Sequence, residues 1–118
     1  MQRESSDSVK IYYPEFSRDE LLARLVEGAK RLAEKLPLAC VLLFGSYAKN
    51  KQTAASDVDL LVVYRDPKND ADYSLVWDEI EIPILEPHIY TVSEFEKQSK
   101  FLREATRDGI LVYGEIPR

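Results

Sequence analysis

The chain has one cysteine in 118 residues, Cys40, so no disulfide can form within it and the fold must be held by packing. Tryptophan, methionine and histidine also occur once each, and glycine four times. There is no internal repeat, no low-complexity stretch and no Gly- or Pro-rich linker. No apolar run approaches the roughly 20 residues needed to cross a bilayer, which excludes a membrane-spanning helix. Positive charge is also short. Sixteen Lys and Arg face 21 Asp and Glu, for a net charge of −5, which argues against a surface built for long nucleic acid. It leaves room for a single nucleotide, whose phosphates need only a few local donors.

What is present is ordinary for a soluble globular protein: 45% hydrophobic and 31% charged residues. The length suits one domain over residues 1–118, with 1–8 a loose polar tail. That tail is mixed in charge and unlike a secretory signal, so a cytoplasmic location is expected. Cys40 lies in an apolar run and reads as a buried, reduced thiol.

Taken in order, Val9–Tyr13 reads as a short edge strand before Pro14. Ser17 and Glu20 have capping-box spacing, and Phe16 and Leu21 that of a hydrophobic staple. Leu21, Leu22, Leu25, Val26, Ala29, Leu32, Ala33 and Leu36 follow on one helical face, until Pro37 ends the run. Ala39–Phe44 is a continuous apolar strand expected at the centre of a sheet. Ser46–Lys49 is expected to open a short helix, and residues 51–56 form a polar loop. Asp57–Tyr64 is a second strand, and Tyr73–Glu79 a short helix or irregular bridge whose Leu75, Val76 and Trp77 cover a core edge. Ile84–Val92 is a third strand, placed at an edge by Pro83 and Pro87. Ser93 with Glu96 suggests a capping box opening a helix that carries Phe95, Phe101 or Leu102, and Ala105 on one side, with Gly109 as its stop. Ile110–Tyr113 is a terminal strand. The expected fold is α/β (α+β): a small mixed sheet with helices packed against it.

The chemistry concentrates between Val41 and Val63. A Gly45–Ser46 turn leaving a buried strand offers free backbone N–H groups, a hydroxyl and a helix dipole to one small volume, which suits phosphate. Asp57 and Asp59 alternate to the same side of their strand, about 6.5 to 7 Å apart along it. Two carboxylates on an apolar strand call for a positive partner, and Mg2+ joins carboxylates to phosphates readily. Tyr47, Tyr73 and Trp77 are candidates to stack on a base, although packing explains each as well. His88 shares a strand face with Glu86 if alternation holds across Pro87.

The order apolar strand, Gly-Ser, ten residues, Asp-Val-Asp-Leu resembles the signature of the DNA polymerase beta-like nucleotidyltransferase superfamily. Size and later segments are similar to its minimal nucleotidyltransferases, which often accompany a HEPN-domain partner as antitoxins. The resemblance implies that Gly45 and Ser46 hold phosphate and that Asp57 and Asp59 ligate magnesium, in two ions. It also implies a third carboxylate on a later strand, for which Glu86 is the match, as metal ligand and general base. Lys49 and Asn50 stand where the family motif often has Arg-Gly; lysine keeps a charge for the triphosphate, and asparagine tolerates left-handed backbone. Glu86 stands where aspartate is usual. The implied activity is transfer of a nucleoside monophosphate, AMP from ATP, to an acceptor hydroxyl, with a HEPN-type protein as partner. The alternative is a non-catalytic, antitoxin-like binding module that keeps the fold. A homo-oligomer stays open on either reading.

Overall fold

The computed structural model describes residues 17–53 and 56–117. The elements run α1 (Arg18–Ala33), β1 (Leu38–Phe44), β2 (Val58–Tyr64), α2 (Asp72–Glu79), β3 (Leu85–Thr91), α3 (Val92–Lys97), α4 (Ser99–Ala105) and β4 (Ile110–Gly114). Among the described residues the four strands form one mixed sheet in the order β3-β2-β1-β4, with β1 antiparallel to both neighbours and β2 parallel to β3. The expected α+β architecture is therefore the one observed, with β1 inside the sheet and β3 at an edge.

Helix α1 starts where its local chemistry starts it. Ser17 accepts the Glu20 N–H through its side chain, and the Glu20 carboxylate accepts the Ser17 N–H, both at 3.0 Å. Leu21, Leu25, Ala29 and Leu32 repeat at helical spacing and are buried against the sheet. The helix ends three residues before Leu36, which is nonetheless buried. Phe16, the expected strand Val9–Tyr13 and the tail 1–8 lie outside the described residues.

Strand alternation divides the core in two. On the first face, Val41 and Leu43 of β1 join Val58, Leu60, Val62 and Tyr64 of β2, the apolar stripe of α1, and Val76 and Ile80 from the α2 region. Leu75 and Trp77 pack at its margin, as expected of that segment. On the second face, Cys40, Leu42, Leu61 and Val63 meet Phe95 of α3 and Leu102 of α4. Burial pushes the Cys40 thiol up to about 11, which keeps it protonated and inert. Helices α3 and α4 cover this face toward the Cys40–Val63 register and leave its other end partly open.

The structure corrects three local expectations. No helix follows Gly45: Ser46–Asn50 forms successive turns, with Lys49 N–H on Gly45 O, Asn50 N–H on Tyr47 O and Lys51 N–H on Ser46 O. Asn50 closes them with φ 58°, the left-handed geometry an asparagine tolerates. The capping box before α3 is Thr91 with Glu94, two residues earlier than expected. Ser93 lies in the first turn and donates its N–H to Asp66 instead. The expected single helix is also two, broken at Gln98; Phe95 and Leu102 face inward, while Phe101 and Ala105 are exposed.

No helix among the described residues is long and apolar enough to cross a membrane.

Candidate functional site

The site forms where the second face is open. Asp59 is the second residue of β2, and alternation turns it away from Val58 and Leu60, which are core residues of the first face. The β1–β2 register sets Phe44 beside it, and the β2–β3 register sets Glu86 on its other side. His88 follows Glu86 on the same face, so alternation holds across Pro87. Oxygen and nitrogen atoms of Asp59, Glu86 and His88 all lie within 4.8 Å of one another.

Electrostatics at this cluster follow from crowding of like charge. Glu86 shares a hydrogen bond with the Asp59 carboxyl, and that bond, followed by the Asp59 charge, raises its pKa above the ordinary 4.5. The Asp57 charge adds a smaller rise, and His88 opposes it. Asp57 itself precedes β2 and is exposed. It acts on Glu86 through its charge but is not among the three groups whose ligand atoms lie within 4.8 Å of one another. His88 Nε2 lies 3.5 Å from Asp59 Oδ1 and is buried without a hydrogen-bond partner. Its ring is held by Phe44, with ring centroids 5.1 Å apart. Two carboxylates and an orphaned imidazole nitrogen this close suit a divalent cation, which would replace the shared proton and satisfy the nitrogen.

The Gly45–Ser46 turn is built against Asp59. Gly45 has φ +78°, a conformation that favours glycine, and a Cβ there would push the Asp59 carboxylate aside. Ser46 is half-buried in the turn and Lys49 is exposed. Among the described residues, the N–H groups of Ser46, Tyr47 and Ala48 donate to no backbone carbonyl.

Arg18, which the sequence reading passed over, orders this turn. From the first position of α1 it donates Nε–H to Tyr47 O at 2.9 Å and an NH2 hydrogen to Ala48 O at 2.6 Å. A trans peptide sets its N–H opposite its carbonyl, so with Tyr47 O on Arg18 the Ala48 N–H points away from the guanidinium. The only sequence signal was a cation at the start of a capped helix, and nothing local says which loop that helix end would meet. Tyr47, the best of the three stacking candidates, is a core residue of the first face and is not available to a ligand. Tyr73 and Trp77 pair edge to face on α2, and Trp77 packs on the first face, away from the carboxylates.

Residues 25–112 match the family described as nucleotidyltransferase domain. The chain belongs to that family. Two curated relatives from Methanocaldococcus jannaschii are similar over shorter stretches. "Putative protein adenylyltransferase MJ0126" is 47% identical over 48 residues, and "Putative protein adenylyltransferase MJ0128" is 49% identical over 35. These matches span 41% and 30% of this chain, and 49% and 36% of the relatives' own lengths. The fold is similar to the crystal structure of a "putative nucleotidyltransferase" from Sulfolobus solfataricus, with TM-score 0.58 and 20% identity over 83% of this chain and 84% of that one. It is also similar to a chain in the complex of a tri-AMPylated Shewanella oneidensis HEPN toxin with its MNT antitoxin, with TM-score 0.52 and 14% identity over 84% and 74%. A third similar chain comes from a toxin–antitoxin structure with AMP-PNP, with TM-score 0.55 and 19% identity over 76% and 73%. The family membership expected from the Gly-Ser and Asp-Val-Asp spacing is therefore met.

Proposed function

We propose that this nucleotidyltransferase-family chain moves AMP from ATP to an acceptor hydroxyl, releases pyrophosphate, and requires a divalent cation. The observation that carries this reading is the convergence of Asp59 and Glu86 beside the Gly45–Ser46 turn, at the open end of the sheet's second face. The adenylyl group is supported by relatives named as protein adenylyltransferases and by a similar complex crystallised with AMP-PNP. A HEPN-type protein as acceptor is an analogy with the tri-AMPylated toxin complex.

In this reading the Gly45–Ser46 turn, with its free N–H groups and the Ser46 hydroxyl, holds the outer phosphates, and Lys49 offsets part of their charge. Asp57, Asp59 and Glu86 hold the cation. When bound, the cation offsets phosphate charge and aligns the groups for in-line displacement. The acceptor oxygen forms a bond to the α-phosphorus, and the bond from that phosphorus to the oxygen bridging toward the β-phosphorus breaks. The electron pair leaves with pyrophosphate, and the acceptor proton passes to Glu86.

The test is transfer of label from ATP carrying 32P at the α-phosphate to a HEPN-type protein co-expressed with this chain. Label is expected on the partner with wild type and none with Asp59→Asn. A tight partner whose inhibition survives Asp59→Asn, with no label in wild type, would turn the reading to the alternative, a binding module that acts by contact.

A further inference from the structure

We propose that His88 is a direct ligand of the cation held by Asp59 and Glu86, and that this nitrogen makes the site prefer a divalent transition cation to magnesium. The inference rests on the reading that Asp59 and Glu86 bind a cation at all, and it adds the class of ion. Three observations carry it. His88 Nε2 is buried, with no hydrogen-bond partner among the described residues, although buried polar atoms are nearly always satisfied. It stands 3.5 Å from Asp59 Oδ1, too far for a good hydrogen bond but close enough for both atoms to reach one ion. Third, the parallel register pairs Asp59 with Glu86 and Leu61 with His88, so a rigid sheet fixes all three donors without a loop contribution.

The donor chemistry decides the ion. Magnesium takes hard oxygen ligands, holds its waters tightly and has little use for imidazole. Imidazole favours the later first-row divalent ions, while carboxylates also accept manganese. Two carboxylates and one imidazole therefore suit Mn2+ or a later first-row ion better than Mg2+. Ligation needs the ring neutral, with its proton on Nδ1 and the Nε2 lone pair free. Phe44 packs beside the ring, with centroids 5.1 Å apart, while Nε2 faces Asp59.

The probe is Mn2+ alone, added to the full chain and followed by electron paramagnetic resonance, with Mg2+ as competitor. Pulsed spectra of the wild-type complex are expected to show nitrogen coupling from a bound imidazole, a readout that needs no variant and no turnover. His88→Asn is expected to weaken Mn2+ about tenfold and change Mg2+ by less than about twofold, while His88→Asp moves the preference toward Mg2+. Mn2+ binding that Asp59→Asn abolishes, but without nitrogen coupling and unchanged in His88→Asn, would overturn the role of His88 and leave the carboxylate site standing. Mn2+ binding indifferent to Asp59→Asn, or no Mn2+ binding at all, would overturn both.

Discussion

The two faces of the sheet are finished differently. On the first, α1 lays Leu21, Leu25, Ala29 and Leu32 over Val41, Leu43, Leu60 and Val62, all of them almost wholly buried. On the second, Phe95 and Leu102 cover only the part toward Cys40 and Val63, and the strand positions beyond them hold Phe44, Asp59 and His88 in partial exposure and Glu86 exposed. A closed face gains its free energy from packing, and any side chain of the right size and polarity serves it. The open end carries groups that packing disfavours: two neighbouring carboxylates and a buried nitrogen without a hydrogen-bond partner. Charge of that kind on an apolar sheet is what a bound cation would offset.

The comparison can be broken by one substitution on each face. Leu25→Ala, at a site with no exposure, should cost about 2–5 kcal/mol by urea unfolding and leave nucleotide affinity unchanged below the melt. Asp59→Asn should do the reverse: transfer falls by more than about a hundredfold, near 2.7 kcal/mol, while the cation-free melting temperature stays level or rises as carboxylate repulsion is relieved. A large loss of stability there would make Asp59 part of the scaffold.

Between the faces stands Arg18, which belongs to the packed helix but holds the turn. Arg18→Met keeps the length of the side chain and removes both bonds to Tyr47 and Ala48. Nucleotide affinity should drop about tenfold in calorimetry, a loss of ~1.4 kcal/mol, with Arg18→Lys restoring only part of it.

The smallest effect is in pH. Glu86 has a folded pKa above its ordinary value, chiefly through Asp59, so its contribution to stability is fully present below pH 4.5 and is lost as pH rises through the raised value. The carboxyl is exposed, so solvent screens most of this. In chelator-treated protein, the melting temperature of wild type relative to Glu86→Gln should fall as pH rises from 4.5 toward neutrality. A flat difference would mean that the two carboxyls do not interact in solution.

Much of this was legible in residue order, because the signals were local. Ser17 and Glu20 set the start of α1 within four residues, and the apolar run before Gly45 gave β1. The spacing from Gly45 to Asp59 gave the family, and Asn50 gave a left-handed residue. What could not be read depended on register between distant segments. Thr91 and Glu94 have the same capping-box spacing as Ser93 and Glu96; the pair used is the one at which β3 stops pairing with β2, opposite Tyr64. The tight cluster takes in His88 because the β2–β3 register sets Glu86 beside Asp59 and Leu61 beside His88, across 27 positions, while Asp57 precedes β2. Arg18 meets the turn only because α1 packs on the first face with its N-terminal end over residues 47 and 48. The Gly45–Asp59 fit was half visible: the sequence supplied the glycine, and the collision it avoids needed three dimensions.

The most direct test is titration calorimetry of the purified chain with ATP, with and without Mg2+, on wild type and Asp59→Asn. Cation-dependent binding in wild type that is lost in the variant is the predicted result. Equal binding by both proteins would contradict the account, because the nucleotide would then sit somewhere other than the open end of the second face.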